Sequence, residues 1–210
     1  MNDLAIRTVT GAALIALAVG AALVGGNIFA LIVAAIATLM FYEWTRVVRG
    51  WGPLWYIGGF VYALVPALAL LWIRERYAQG LELLLWVFVI SWATDIGAYF
   101  VGRALGKRKL APSISPNKTV EGLIGGMIAA TLVGGALVLW AGLDRDLLWF
   151  APVFAAAAQG GDLFESWMKR RADIKDSGSW LPGHGGILDR LDGLVVVAIL
   201  TVTAQLAGLL

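Results

Sequence analysis

Seven apolar runs, each about as long as a bilayer crossing, constrain the fold of this chain more than any other feature. A helix needs roughly 20 predominantly apolar residues to cross a bilayer, and the 210-residue chain is 60% hydrophobic. Backbone groups inside a bilayer find partners only in helices or closed barrels. We therefore predict an all-α, polytopic membrane helical bundle with about seven transmembrane helices, near residues 8–24, 28–48, 54–73, 81–100, 120–141, 147–167 and 191–210.

The segments between the runs contain glycine or proline, which interrupt helices. Only two of them are long, at residues 101–119 and 168–190. We interpret residues 1–90 as N-terminal transmembrane helices and residues 91–210 as a catalytic transmembrane region, within one integral membrane domain. No clear small-residue cleavage site follows the first run, so we expect a retained helix rather than a cleaved signal peptide.

Lys and Arg are distributed unevenly between the two sides that these spans define. Thirteen of the 16 fall on the side of the N-terminus and both long loops, and only Arg74, Arg76 and Arg145 fall on the other. The positive-inside rule therefore predicts a cytoplasmic N-terminus, cytoplasmic long loops and a C-terminus outside. The net charge of +2 does not favour a nucleic-acid partner, and the absence of cysteine excludes thiol chemistry.

Carboxylates gather near the predicted cytoplasmic ends of the spans. Glu43, Asp95 and Asp162 share one depth in three different spans. The same side also holds Glu121, Glu165, Asp189 and Asp192. A charged side chain costs about 2.5–3.5 kcal/mol at mid-span and usually faces a partner or a cavity. Acids near helix ends also cost little free energy. For Glu43 or Glu121 taken alone, the interpretation that the residue has no functional role is therefore equally good.

Span six has one polar helical face. Its members recur at helical spacing and are Asp162, Glu165, Ser166 and Lys169. Gly160 and Gly161 precede this face, where they would let another backbone or a ligand come close, although glycine also serves helix packing. Hard oxygen donors, without cysteine and with a single histidine, favour Mg²⁺ over zinc.

Cations in the two long loops face this acidic cluster. Lys118 comes from one loop, and Lys169, Arg170, Lys175 and Arg190 come from the other. Of these, Lys118, Lys175 and Arg190 lie beside glycines, prolines or carboxylates. Together with helix N-termini on the same side, they describe a polyphosphate site. Basic loops also serve topology and anionic lipids, at about 1 kcal/mol per residue, and that interpretation suits Lys107 to Lys109. His184 is a candidate base or phosphate ligand, or a structural hydrogen-bonding residue.

Small residues recur every four positions in span five, at Gly122, Gly126, Ala130 and Gly134. Such a ridge allows helices to approach closely. Two interpretations stay open: a homodimer seam, or packing within one bundle.

Four blocks of sequence carry a family resemblance. The longest is S-x-M-K-R-x4-K-D-x-G-x2-L-P-x-H-G-G-I-x-D-R-L-D, from Ser166 to Asp192. The others run through residues 95–103, 115–122 and 159–166. Together they resemble the phosphatidate cytidylyltransferases, also called CDP-diacylglycerol synthases. The resemblance is specific over about residues 91–193.

The resemblance implies a reaction in which phosphatidate and CTP give CDP-diacylglycerol and pyrophosphate at the inner face of a bacterial inner membrane. It implies catalytic roles for Asp162, Lys175, Asp189, Arg190 and Asp192. The implied Mg²⁺ ligands are Asp162 and Asp189, with Asp192 as a further ligand or supporting group. The implied substrate-binding residues are Lys118, Glu121, Ser166, Lys169, Arg170 and His184. Whether a monovalent cation joins Mg²⁺ stays open.

Two other functions remain as alternatives. A CTP-dependent kinase acting on a polyprenol or phytol would share the membrane setting, the nucleotide and the metal, but would release CDP. An ion-coupled transporter would use buried acids as an ion path. The one-sided clustering of the acids and the two long basic loops argue against the transporter.

Overall fold

Seven α-helices dominate the computed structural model, which describes residues 3–76, 78–181, 183 and 185–210. They are α1 (Asp3–Val24), α2 (Gly26–Val47), α3 (Pro53–Arg76), α4 (Gly80–Leu105), α5 (Val120–Ala141), α6 (Leu147–Arg171) and α7 (Leu188–Leu206). Each predicted span corresponds to one of these helices. The all-α bundle inferred from hydropathy is therefore confirmed.

Five helices of the described chain, α2 to α6, are long and apolar enough to cross a membrane. The apolar part of α1, Thr8–Val24, is shorter. In α7 the first turns carry Asp189, Arg190 and Asp192, which shorten its apolar part. A membrane bundle is thus confirmed, while the count of seven spans and the orientation of the termini stay predictions.

Helices α4 and α6 extend past the ends that hydropathy predicts for their spans. They end at Leu105 and Arg171, rather than near residues 100 and 167. Hydropathy follows only the apolar part of a helix, whereas α6 continues through the last-turn cations Lys169, Arg170 and Arg171. Cations in a last turn interact favourably with the helix dipole. Both long connections are therefore shorter than predicted.

A β-hairpin occupies the second half of the segment predicted as a loop at residues 101–119. Strand β1 (Lys109–Ala111) pairs antiparallel with β2 (Ser115–Thr119). Proline at positions 112 and 116 argues against strands in the sequence pattern, which is why the hairpin is not predicted. Helix α5 begins directly after β2, where the Thr119 hydroxyl accepts a hydrogen bond from Gly122 N at 3.0 Å and caps the helix.

The small-residue ridge of α5 packs against α4. A Cβ built on Gly126 would lie 2.7 Å from the Thr94 carbonyl oxygen, and one on Gly122 would lie 2.9 Å from that of Ala98. Side chains cannot fit at these distances, so glycine permits the contact. Packing within the bundle is the interpretation that the structure bears out for this ridge. A homodimer remains a prediction, and this ridge does not support it because the ridge packs against α4 of the same chain.

The predicted cytoplasmic loops lie together at one end of the bundle. Arg170 Nε donates a hydrogen bond to the Ile114 carbonyl oxygen at 3.3 Å, which joins the end of α6 to the hairpin. At the same end, the Arg171 guanidinium lies 4.5 Å from the ring centroid of Trp51 and also faces Trp55 and Trp167. Tryptophan and arginine are typical of the membrane interface. The two loops and this aromatic group therefore share one end of the protein.

Candidate active site

The polar face of α6 forms the centre of the candidate site. Ser166 Oγ donates a hydrogen bond to Asp162 Oδ1 at 3.2 Å, and Lys169 Nζ lies 3.0 Å from Glu165 Oε1. Glu165 and Ser166 are buried. The i, i+4 spacing read from the sequence thus brings these side chains together in pairs.

Lys118, in strand β2 of the hairpin, contacts the polar face of α6. Its Nζ lies 2.5 Å from Asp162 Oδ2 and donates to Gln159 Oε1 at 2.9 Å. Gln159 Nε2 in turn donates to Asp95 Oδ1 at 3.3 Å. One continuous polar chain therefore links β2, α6 and α4, although its members are distant in sequence.

Asp189, in the first turn of α7, meets α6 through Lys169. Lys169 Nζ lies 2.6 Å from Asp189 Oδ1. The other oxygen, Oδ2, accepts hydrogen bonds from Ser177 N at 3.0 Å and Gly186 N at 2.8 Å. Asp189 thus joins the site to the loop between α6 and α7.

Asp192 faces the same region from one turn further along α7. It interacts electrostatically with Asp162 and Asp95. The approach of α7 to α6 depends on Gly161, because a Cβ there would lie 2.5 Å from the Asp192 carbonyl oxygen. The interpretation of Gly161 as a point of close backbone approach is confirmed, whereas a Cβ on Gly160 would meet nothing within 4 Å.

Two buried polar groups beside the acids lack well-formed hydrogen bonds in the described residues. Glu165 Oε1 forms an ion pair with Lys169 Nζ, but neither oxygen of Glu165 accepts a well-formed hydrogen bond, and the Tyr62 hydroxyl makes none. Tyr62 interacts electrostatically with Glu165, Asp162 and Asp192, so both groups belong to the same region. Buried polar groups are normally hydrogen-bonded. Unused donors and acceptors at this place suit a region that binds a polar ligand.

An aromatic groove of about 480 Å³ lies next to this region. It is lined by Trp44, Leu54, Trp55, Gly58, Tyr62 and Phe164. Tyr62 belongs to the groove and also interacts electrostatically with Glu165, Asp192 and Asp162. An apolar surface and a charged site therefore adjoin each other.

No group of three or more acidic or histidine side chains within the described ranges is arranged to hold a metal ion. The acids face lysines instead, since Asp162 pairs with Lys118 and Asp189 pairs with Lys169. Mg²⁺ is normally held by one or two carboxylates together with waters and substrate phosphates. A metal at this site would therefore depend on ligands that a substrate supplies.

Glu121 and Arg170 lie apart from the acidic cluster. Glu121 Oε2 accepts hydrogen bonds from Lys107 N at 3.0 Å and Arg108 N at 3.2 Å, which holds the exposed start of the hairpin. Arg170 donates to two loop carbonyl oxygens, those of Ile114 and Ile174. The observed contacts of both residues therefore hold the backbone of the loops in place.

Three further predicted residues lie in or near the connection to α7. Lys175 and Arg190 have exposed side chains, and Arg190 interacts electrostatically with Asp95. His184 lies outside the described residues, so its role stays a prediction.

Four residues in or beside this network carry no assigned role in the predicted site. They are Gln159, Tyr62, Ser177 and Glu43, whose carboxylate accepts a hydrogen bond from Ser177 Oγ at 2.9 Å. Gln159 lies inside one of the blocks that carry the family resemblance, but a glutamine gives no chemical signal of its own. For Glu43, the one signal in the sequence is that it shares the depth of Asp95 and Asp162. Tyr62 and Ser177 have no distinguishing pattern, because their importance arises from contacts between distant segments.

Comparison with known proteins shows which family this chain belongs to. The profile of the cytidylyltransferase family matches residues 50–206, well over half of the chain. The chain belongs to the cytidylyltransferase family. This confirms the recognition made from the blocks around Asp95, Lys118 and Asp162, and every predicted site residue lies inside the range that the family profile matches.

Curated members of the family extend the comparison. The chain is 46% identical to the phosphatidate cytidylyltransferase of Brucella suis biovar 1 (strain 1330) over 173 residues, which is 80% of this chain and 62% of that protein. It is 48% identical to that of Bacillus subtilis (strain 168) over 128 residues, or 60% of this chain and 48% of that protein. The chain thus spans about 62% of the length of the first of these relatives.

Proposed function

We propose that this protein transfers the cytidylyl group of CTP to phosphatidate, forming CDP-diacylglycerol and pyrophosphate for phospholipid biosynthesis. One observation carries the proposal: Lys118, Asp162, Lys169 and Asp189 converge at one end of a membrane helix bundle. They do so within the residues that match the family. The name shared by the Brucella and Bacillus relatives supports the choice of substrates.

The proposed reaction asks the protein for positioning and for charge neutralisation. An oxygen of the phosphatidate phosphate forms a bond to the α-phosphorus of CTP, while the bond from that phosphorus to the bridging oxygen breaks and pyrophosphate leaves. A phosphate monoester is already anionic, so little base chemistry is needed. Ordered neutralisation of the triphosphate supplies most of the rate enhancement.

Lys118 and Lys169 are the residues best placed for that neutralisation. Each is mostly buried, with 16% and 12% of its side chain exposed, and each pairs with a carboxylate. A triphosphate entering the cluster offers both lysines further anionic oxygens. The more exposed cations Lys175 and Arg190 would meet phosphates nearer the surface.

Mg²⁺ suits the donor set of the cluster. Its carboxylates are hard oxygen ligands, and Glu165 adds a buried oxygen, Oε2, that accepts no well-formed hydrogen bond. Asp162, Asp189 and Asp192 would hold the ion together with substrate phosphates. When bound, it would neutralise charge that develops on the transferring phosphoryl group and the leaving pyrophosphate. Whether a monovalent cation binds beside Mg²⁺ is an open question.

The aromatic groove suits the lipid substrate. Two acyl chains must stay in the bilayer while the phosphate reaches a nucleotide that is soluble in water. The groove adjoins the acids at Tyr62, so a lipid lying in it would direct its headgroup toward Glu165 and Asp162. This placement explains why the cluster lies inside a membrane bundle rather than in a soluble domain.

Product analysis tests the proposed function. Purified protein is incubated with phosphatidate, Mg²⁺ and CTP labelled at the α-phosphate, and the lipid is extracted. We expect label in the lipid fraction and release of pyrophosphate. Unlabelled lipid with release of CDP would indicate the lipid kinase instead. Ion flux in substrate-free liposomes, without any labelled lipid, would indicate the transporter.

Cysteine labelling tests the predicted orientation. The chain has no cysteine, so one introduced thiol reports one position. Ser113, in the turn of the hairpin, and Asn27, near the start of α2 at the opposite end, are both exposed. With an impermeant reagent, we expect Asn27→Cys to be labelled in intact cells and Ser113→Cys only after the membrane is opened. The reverse pattern would contradict a cytoplasmic active site.

A further inference from the structure

Glu43 is a fully buried carboxylate near the end of α2, with 0% of its surface exposed. Its oxygens accept hydrogen bonds from Ser177 Oγ at 2.9 Å, Ile187 N at 3.0 Å and Leu188 N at 2.8 Å. Burying a charge is costly unless it is well hydrogen-bonded. All three donors belong to the loop before α7 or to the first residue of α7, so Glu43 binds that segment.

The position of these donors explains why a carboxylate suits the site. Ile187 and Leu188 lie at the start of α7, where backbone N–H groups have no partner within the helix. The N-cap residue, Ile187, makes no capping hydrogen bond with its side chain. A negative charge at a helix N-terminus is also favoured by the helix dipole. Glu43 therefore caps α7, although it lies 145 positions before Leu188 in the sequence.

The loop is shaped around this carboxylate. A Cβ on Gly186 would lie 2.5 Å from Glu43 Oε2 and would also collide with Ser177 Oγ. A Cβ on Gly178 would collide with Glu43 Oε1. Two glycines of the family signature thus leave room for a side chain that lies before the matched residues 50–206.

Glu43 and Asp189 hold the same loop residue from two sides. Ser177 donates its hydroxyl to Glu43 Oε2 and its backbone N–H to Asp189 Oδ2. Asp189 also contacts Lys169. One network therefore runs from α2 through the loop to the acids and lysine at the centre of the candidate site. The first turns of α7 cannot shift without breaking bonds to Glu43.

From this network we infer that Glu43 is a positioning residue for cytidylyl transfer, which fixes Ser177, Ile187 and the start of α7 so that Asp189 and Asp192 face α6. The inference rests on the proposed function. As a positioning residue, Glu43 does not contact the substrate. It acts through the backbone of Ile187 and Leu188.

Glu43→Gln tests this role with little change of shape. An amide keeps one acceptor oxygen but places an NH₂ group toward a backbone N–H, so at least one bond is lost together with the charge. We expect kcat/KM for CTP to fall on the order of 100-fold, as small misplacements of a site do. Part of the loss should be a raised KM, which a smaller fraction of folded protein would not produce.

Glu75→Gln is the matched control. Glu75 also accepts a backbone N–H at a helix start, that of Gly26 at 2.9 Å, but at the opposite end of the bundle. We expect this variant to keep activity within about twofold. Equal losses in the two variants would overturn the inference, because they would show a general effect on stability.

Hydrogen exchange provides a readout that does not depend on activity. In Glu43→Gln, the amides of Ile187 and Leu188 should exchange about tenfold faster than in the wild type, while those in the middle of α5 should be unchanged. Unchanged exchange at Ile187 and Leu188 would overturn the inference. So would normal kcat/KM in a protein whose loop has lost protection.

Ser177→Ala keeps the test decisive if Glu43→Gln fails to fold. It removes one of the three hydrogen bonds to Glu43, and we expect a loss of about fivefold in kcat/KM with faster exchange at Leu188. Normal values of both would overturn the inference. A wild-type protein that makes no labelled lipid would instead refute the proposed function, so the two failures are distinguishable.

Discussion

Replacing Asp162 by asparagine is expected to reduce the formation of labelled CDP-diacylglycerol on the order of 1,000-fold. Asp162 accepts a hydrogen bond from Ser166 and lies 2.5 Å from Lys118 Nζ. The amide would remove the charge that holds Lys118 in the bundle and, in the proposed function, a ligand of Mg²⁺. The α-labelled CTP assay measures the effect, with equal amounts of membrane-inserted protein.

Lys107→Ala provides the control for this variant. The Lys107 side chain is exposed, and the residue contacts Glu121 through its backbone N–H. Its activity should stay within about twofold of the wild type. Near-normal turnover by Asp162→Asn would remove Asp162 from the active site. Complete loss in Lys107→Ala would show that the exposed hairpin cations bind substrate rather than lipid headgroups.

Replacing Asp189 by asparagine is expected to reduce activity on the order of 100-fold or more. Both oxygens of Asp189 are used, by Lys169 on one side and by Ser177 N and Gly186 N on the other. An amide cannot accept bonds from all three groups. Lys169 would then keep only Glu165 as a partner, and the loop before α7 would loosen. Turnover and exchange at Gly186 should therefore change together.

Asp173→Asn is the matched control for Asp189→Asn. Asp173 is exposed, follows the end of α6 and has a φ of 56°, a left-handed conformation that asparagine tolerates well. The same chemical change there should leave activity within about twofold. A loss in Asp173→Asn equal to that in Asp189→Asn would indicate that charge near the loop, rather than the contacts of Asp189, controls turnover.

Hydropathy predicts the helices of this protein well because a bilayer leaves the backbone few choices. It predicts the ends of α4 and α6 poorly, since both helices continue into charged residues such as Arg103 and Lys169. The hairpin is missed for a different reason. Its strands contain Pro116 and lack an alternating pattern, and only the pairing of Lys109 with Thr119 reveals them.

The acids of the candidate site follow from the sequence, but their partners do not. The spacing of Asp162, Glu165 and Lys169 on one helix is visible in the sequence, because a helix has a fixed period. The contact of Lys118 with Asp162 joins a strand to a helix 44 positions away and has no local signal. The bonds from Glu43 to Ser177 and Leu188 are longer in range still, at 134 and 145 positions.

The contact between Gly161 and the α7 backbone means that the spacing of the acids depends partly on a missing side chain. A methyl group at position 161 would meet the Asp192 carbonyl oxygen and the Val196 side chain, so it would wedge α6 and α7 apart and carry Asp162 away from its neighbours on α7. Truncating each polar side chain in turn would never reveal this dependence. Adding atoms at Gly161 would impair the proposed cytidylyl transfer without altering any group that takes part in the chemistry.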